Sequence, residues 1–149
     1  IFCLDVNLTL VKFKSKKIDF FGLDSSNSKM LFKFLQTIKD KFYLKKFDII
    51  IDDGSHILSD QLFSINYFYK YLKKGGYYVI EDYKFPNYFK RCKDINENTI
   101  DILIKKLKNN KSIQSKILQN ETIKQLYNAQ IKSYKGRSKI SDIVFFQKK

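Results

Sequence analysis

Few of the residues that usually declare a function are plentiful in this chain. Its 149 residues include one proline, one histidine, two cysteines, five glycines and no tryptophan. Cys3 and Cys92 stand far apart, without the spacing of a metal site or redox pair, which excludes a disulfide framework and points to reduced thiols and a cytoplasmic setting. Apolar runs extend only a few residues, far short of the ~20 needed to cross a bilayer, and the N-terminus lacks the charged-then-apolar layout of a signal peptide. No linker, repeat or low-complexity tract marks a second domain, so residues 1–149 read as one domain. A hydrophobic share of 44% with 16% aromatics excludes a disordered tail.

Arginine is equally scarce. The formal charge of +14 invites a nucleic-acid partner, yet of 29 basic residues only Arg91 and Arg137 are arginine, and Ala129 is the sole alanine. Lys, Ile, Asn, Phe and Tyr, all with A/T-rich codons, are abundant, so base composition accounts for much of the lysine. The lysines are also scattered in pairs such as Lys16-Lys17 and Lys73-Lys74 rather than gathered in one run. These features argue against nucleic acid as a partner. A basic nucleic-acid-binding module stays as an alternative, and it would show affinity falling steeply with salt.

What is present is an alternation of apolar strands and amphipathic helices. "IFCLDVN" and Ile18–Leu23 read as strands. Met30, Leu31, Phe34, Leu35 and Ile38 then fall at helical spacing, with Ser28 as the expected N-cap. "FDIII" is the next strand. Leu62, Ile65, Phe68 and Leu72 line one face of a second helix beginning near Ser59, which Gly75-Gly76 is expected to break. "YYVIEDY" is the fourth strand. Beyond Pro86 the chain reads as helical, and it ends in two strands flanking Lys135-Gly136-Arg137, a hairpin. Strands apolar throughout and alternating with helices imply an α/β fold, mostly parallel, with both faces covered.

Acids close these strands: Asp5, Asp24, Asp52 with Asp53, and Glu81 with Asp82. In open parallel sheets ligands bind beyond the carboxyl ends of strands. Each acid alone could be a turn or cap residue. Together they repel and need a cation or protons, and oxygen-rich sites suit Mg2+ or Mn2+. Adjacent strand residues point to opposite faces, so Glu81 and Asp82 can share an ion only if the strand ends there, as Phe85-Pro86 suggests. His56, three residues after Asp53, lies close to that ion, and imidazole is the commonest general base.

"FDIIIDDGSH" followed by "YLKKGGYYVIEDY" resembles the class I, S-adenosylmethionine-dependent methyltransferases. The particular resemblance is to the metal-dependent macrolide sugar O-methyltransferases of the mycinamicin type and to cephalosporin hydroxylase-like sequences. The resemblance implies a Rossmann-like sheet with a C-terminal antiparallel hairpin. It also implies Asp53, Glu81 and Asp82 as ligands of Mg2+ (or Mn2+) and His56 as catalytic base. Asp5 would hold the ribose of S-adenosylmethionine and Asp24 would lie near its adenine, with Asp52 grouped among the cofactor contacts. The reaction implied is methyl transfer to a hydroxyl of a sugar or similar polyol, with a small-molecule or glycan acceptor. Such enzymes begin with a strand and a glycine-rich loop that this sequence does not contain before Ile1. The expectation is therefore an N-terminally incomplete domain lacking its first, central strand, and a catalytically inactive methyltransferase-like fragment is the alternative. The acceptor's identity and the oligomeric state, including a homo-oligomer, are left open by the sequence.

Overall fold

A computed structural model describes residues 1–13 and 15–149, and the side chain of Leu10 is outside that description. The chain divides into two compact units, 1–45 and 46–149.

In the first unit β1 (Phe2–Asp5) and β2 (Asp19–Gly22) pair in parallel, Phe2 opposite Asp19 and Asp5 opposite Gly22. The helix α1 (Ser28–Phe42) comes next, and it buries Leu31, Phe34, Leu35 and Ile38, the stripe its spacing predicts. Phe34 meets the rings of Phe2 and Phe21 edge-on, at centroid distances of 6.2 and 4.9 Å. The cap is Asn27 rather than Ser28: its side chain accepts from the backbone N–H groups of Lys29 and Met30.

The second unit carries a four-stranded sheet in the order β3-β4-β6-β5. Its strands are β3 (Phe47–Asp52), β4 (Leu72–Ile80), β5 (Gln130–Tyr134) and β6 (Ile143–Gln147). Parallel pairing joins β3 to β4. Antiparallel pairing joins β6 to β4 and to β5, the expected C-terminal hairpin. The helices are α2 (Leu58–Phe68), the short α3 (Phe85–Tyr88), α4 (Ile100–Lys108) and α5 (Asn120–Tyr127). Leu58, Leu62, Ile65, Ile100, Leu103, Val144 and Phe146 form its buried core. None of the helices among the described residues is long and apolar enough to cross a membrane.

Two expectations need correction. Leu72 belongs to β4, because α2 ends at Phe68 and passes through a 3-10 turn at Tyr69–Tyr71. Gly75-Gly76 therefore does not terminate a helix. Gly75 has φ of 81°, and a Cβ on Gly76 would stand 2.7 Å from the Asp48 carbonyl oxygen. The pair makes the irregularity that shifts the β3–β4 register between Phe47 and Ile49. In β3, Ile49 and Ile51 are 57% and 61% exposed, on a strand at the edge of the four-stranded sheet.

Candidate functional site

Parallel pairing sets the site. Asp52 and Ile80 are register partners at the ends of β3 and β4, so the turns beyond them leave the same edge of the sheet. The first turn runs Asp53-Gly54-Ser55-His56 and the second begins Glu81-Asp82. The backbone N–H of Glu81 donates to the Asp52 carbonyl at 3.0 Å, tying the two together.

Each turn contains a non-glycine residue in the left-handed region, His56 with φ of 57° and Asp82 with φ of 50°. That conformation is sterically disfavoured for residues with a Cβ and persists where surroundings enforce it. Its result is convergence. The His56 Nε2 lies 3.9 Å from an Asp53 carboxylate oxygen and 4.0 Å from one of Asp82. The imidazole side chain is 20% exposed, Asp53 62% and Asp82 30%. The ring of Phe85 lies against the imidazole, centroids 4.6 Å apart and planes 36° apart.

Supporting bonds brace both turns. Ser55 Oγ donates to Asp60 Oδ2 at 2.5 Å and accepts from the Ile57 N–H at 3.3 Å. Asp94 caps α2 from a distance in sequence, accepting from the Ser59 N–H and Oγ. After the second turn, Phe85 N–H donates to the Asp82 carbonyl at 3.0 Å. Lys84 Nζ donates to the buried Asp142, which also accepts from the Gly136 N–H. The Lys84 ammonium holds Asp142 below the usual carboxylate range, and Asp142 in turn raises Lys84.

The sequence-derived acids thus have different fates. Asp53, His56 and Asp82 are brought together. Glu81 is adjacent, but its carboxylate makes no ion pair among the described residues, and no three His, Cys, Asp or Glu side chains there are already closed around a point that could hold an ion. Asp52 turns inward: its Oδ2 accepts from Tyr78 Oη at 3.2 Å, and the Tyr78 hydroxyl is 2.5 Å from Ser64 Oγ. Burial pushes the Asp52 carboxyl up, against the hydrogen bonds that favour its charge. In the first unit, Asp5 Oδ1 accepts from the Asn7 N–H and Asp24 Oδ1 accepts from the N–H and Oγ of Ser26, the latter bonds lowering Asp24.

Phe85, Asp60, Asp94 and the Lys84–Asp142 pair were not among the expected residues. Phe85-Pro86 was visible as the end of a strand, though nothing in that signal placed the ring on His56. Asp60, in the first turn of α2, carried the sequence mark of a helix start. Asp94 and Asp142 lie 35 and 58 residues from their partners, beyond any local pattern.

Comparison with known proteins bears on this arrangement. No family model matches the chain. A stretch of 36 residues, 24% of this chain and 9% of the relative, is 53% identical to L-olivosyl-oleandolide 3-O-methyltransferase of Streptomyces antibioticus. Solved structures of the MycE methyltransferase from the mycinamycin biosynthetic pathway superpose over 99% of this chain. The complex with Mg and SAH gives a TM-score of 0.59 at 21% identity, and the complex with Mg, SAH and mycinamycin VI gives 0.61 at 22%. The chain has the methyltransferase fold. It spans 36% of the length of MycE. The likeness includes a protein whose solved complexes hold magnesium, the spent methyl donor and, in one case, a macrolide.

Proposed function

We propose that the chain belongs to an S-adenosylmethionine-dependent O-methyltransferase that uses Mg2+ and acts on a hydroxyl of a sugar or similar polyol in a small-molecule or glycan acceptor. The observation that carries this reading is the meeting of Asp53, His56 and Asp82 at the ends of two adjacent parallel strands. Oxygen donors of this kind suit a hard divalent cation. Asp53 and Asp82, both within 4.0 Å of one nitrogen and part-exposed, would hold the ion, with Glu81 as the third carboxylate. Asp5 and Asp24 are the proposed contacts of the cofactor ribose and adenine.

An alcohol is a poor nucleophile at neutral pH, and bound magnesium would supply polarisation of its oxygen. His56 takes the hydroxyl proton at Nε2 as the oxygen attacks the sulfonium methyl. Phe85 packs against the imidazole, and the left-handed backbone at His56 fixes the direction in which the ring projects. Methyl transfer from S-adenosylmethionine gives the methyl ether and SAH, and the proton ends on His56 before passing to solvent.

Calorimetric titration of the chain with Mn2+ tests the reading. Saturable one-site binding that Asp53→Asn or Asp82→Asn abolishes is expected; unchanged binding in both variants would remove the metal assignment.

A further inference from the structure

An acid at the inner end of an apolar strand requires an explanation, because a part-buried carboxylate is costly unless hydrogen bonds satisfy it. Asp52 has them on both sides. Tyr78, fully buried on the neighbouring strand, donates to Oδ2 and is itself bonded to Ser64 on α2. The Ser64 hydroxyl and the Gly54 N–H, inside the next turn, lie near enough to the same carboxylate to favour its charge. A Cβ on Gly54 would stand 3.2 Å from Asp52 Oδ1, so glycine permits this approach. The Asp52 carbonyl accepts from the Glu81 N–H at the start of the second turn. One residue therefore touches both turns, by side chain and by main chain, without facing the open edge.

We infer that Asp52 is a positioning residue that anchors the Asp53–His56 turn to the sheet through Tyr78 and Gly54, rather than a contact of the cofactor or the cation. Successive strand residues project to opposite faces. Fixing the Asp52 side chain inward therefore directs Asp53 outward, and pinning the Gly54 N–H sets the path by which the chain reaches the left-handed conformation at His56. The link to metal binding rests on the function proposed above; the anchoring itself does not.

The role requires a hydrogen-bond acceptor and not a charge. Asparagine keeps an acceptor for Gly54, and its amide can donate to the Tyr78 hydroxyl, whereas alanine removes the polar group altogether. The test is amide hydrogen exchange of Gly54, Ser55 and His56, referenced to the amides of α4, in the wild-type chain and in Asp52→Ala, Asp52→Asn and Tyr78→Phe. A Mn2+ titration of each is run in parallel. Asp52→Ala is expected to speed exchange in the turn at least tenfold beyond any change in α4, and to weaken Mn2+ about tenfold. Asp52→Asn should recover most of both, and Tyr78→Phe should fall between. Exchange raised equally in the turn and in α4 would reduce Asp52 to a contributor to global stability. An asparagine variant as impaired as the alanine one would show that the charge acts directly. Either result overturns the proposal. If Asp52→Ala fails to fold, the exchange comparison between Tyr78→Phe and wild type decides the anchoring. A wild-type chain that binds no Mn2+ would overturn the metal reading alone, with the exchange data still deciding the positioning role.

Discussion

The acids that end strands in the first unit and those in the second began as the same sequence signal and have become different things. Asp5 and Asp24 each bend back on the residue two positions on, accepting from the N–H groups of Asn7 and Ser26. They are turn-forming residues in their local geometry, with one carboxylate oxygen occupied by their own chain. Asp53 and Asp82 instead face one imidazole. The difference arises in the turns beyond the strands. In the second unit, parallel register places two turns side by side, and left-handed residues in both redirect the side chains toward a common point. Acid at a strand end marks a candidate, and the backbone beyond it decides whether the acid bends back on its own turn or faces a second turn.

The sharpest break in that comparison is expected at His56. His56→Ala should lower methyl transfer by roughly a hundredfold or more, the scale of losing a general base, while leaving SAH binding within about threefold. Radiolabel transfer and calorimetry on the same preparations would read both; unchanged turnover would return His56 to a purely structural role.

A smaller effect is expected at the brace behind the second turn. Asp142→Ala strands the Lys84 ammonium and the Gly136 N–H, and should cost about 2 kcal/mol, or about 4–8 °C in melting temperature. The direction with pH comes from the lowered Asp142: its contribution is present above 3.8 and is lost as pH falls below that value toward its folded-state pKa. Acid titration of wild type and variant should therefore converge at low pH, and parallel curves would contradict the ion-pair account.

Next comes Asp5, the proposed ribose contact. Asp5→Ala should weaken SAH about tenfold, the worth of one hydrogen bond to a charged group, with Mn2+ affinity little changed. The smallest effect belongs to the first unit's other turn: Asp24→Asn should shift stability by no more than about 0.5 kcal/mol in thermal melts, as expected at an exposed position.

Much of the fold was legible because it is written in local periodicity. The stripe Leu31, Phe34, Leu35 and Ile38 is buried as read, and the C-terminal hairpin pairs Tyr134 with Ile143 across the loop holding Gly136. Misreadings occurred where long-range pairing overrode local pattern. Leu72 continues the helical spacing of α2 yet lies in β4, paired with Phe47 of β3, and Gly75-Gly76, a helix-breaking pair by composition, lies at the register irregularity where Asp48 approaches closely. The site was legible as residue types and not as geometry. Asp53, His56 and Asp82 were visible as candidates, but the inward turn of Asp52 depends on Tyr78 and Ser64 on other elements. The packing of Phe85 on His56 depends on the turn after Asp82. Neither leaves a mark in spacing.

The claim that acids of one sequence pattern divide into turn-formers and cation ligands is tested most directly by Mn2+ titrations of four variants side by side: Asp5→Asn, Asp24→Asn, Asp53→Asn and Asp82→Asn. The account predicts wild-type affinity in the first two. It predicts in the last two a loss greater than the roughly 10–100-fold that removing an outer partner of a metal ligand costs. Equal losses in all four, or none in Asp53→Asn and Asp82→Asn, would contradict it.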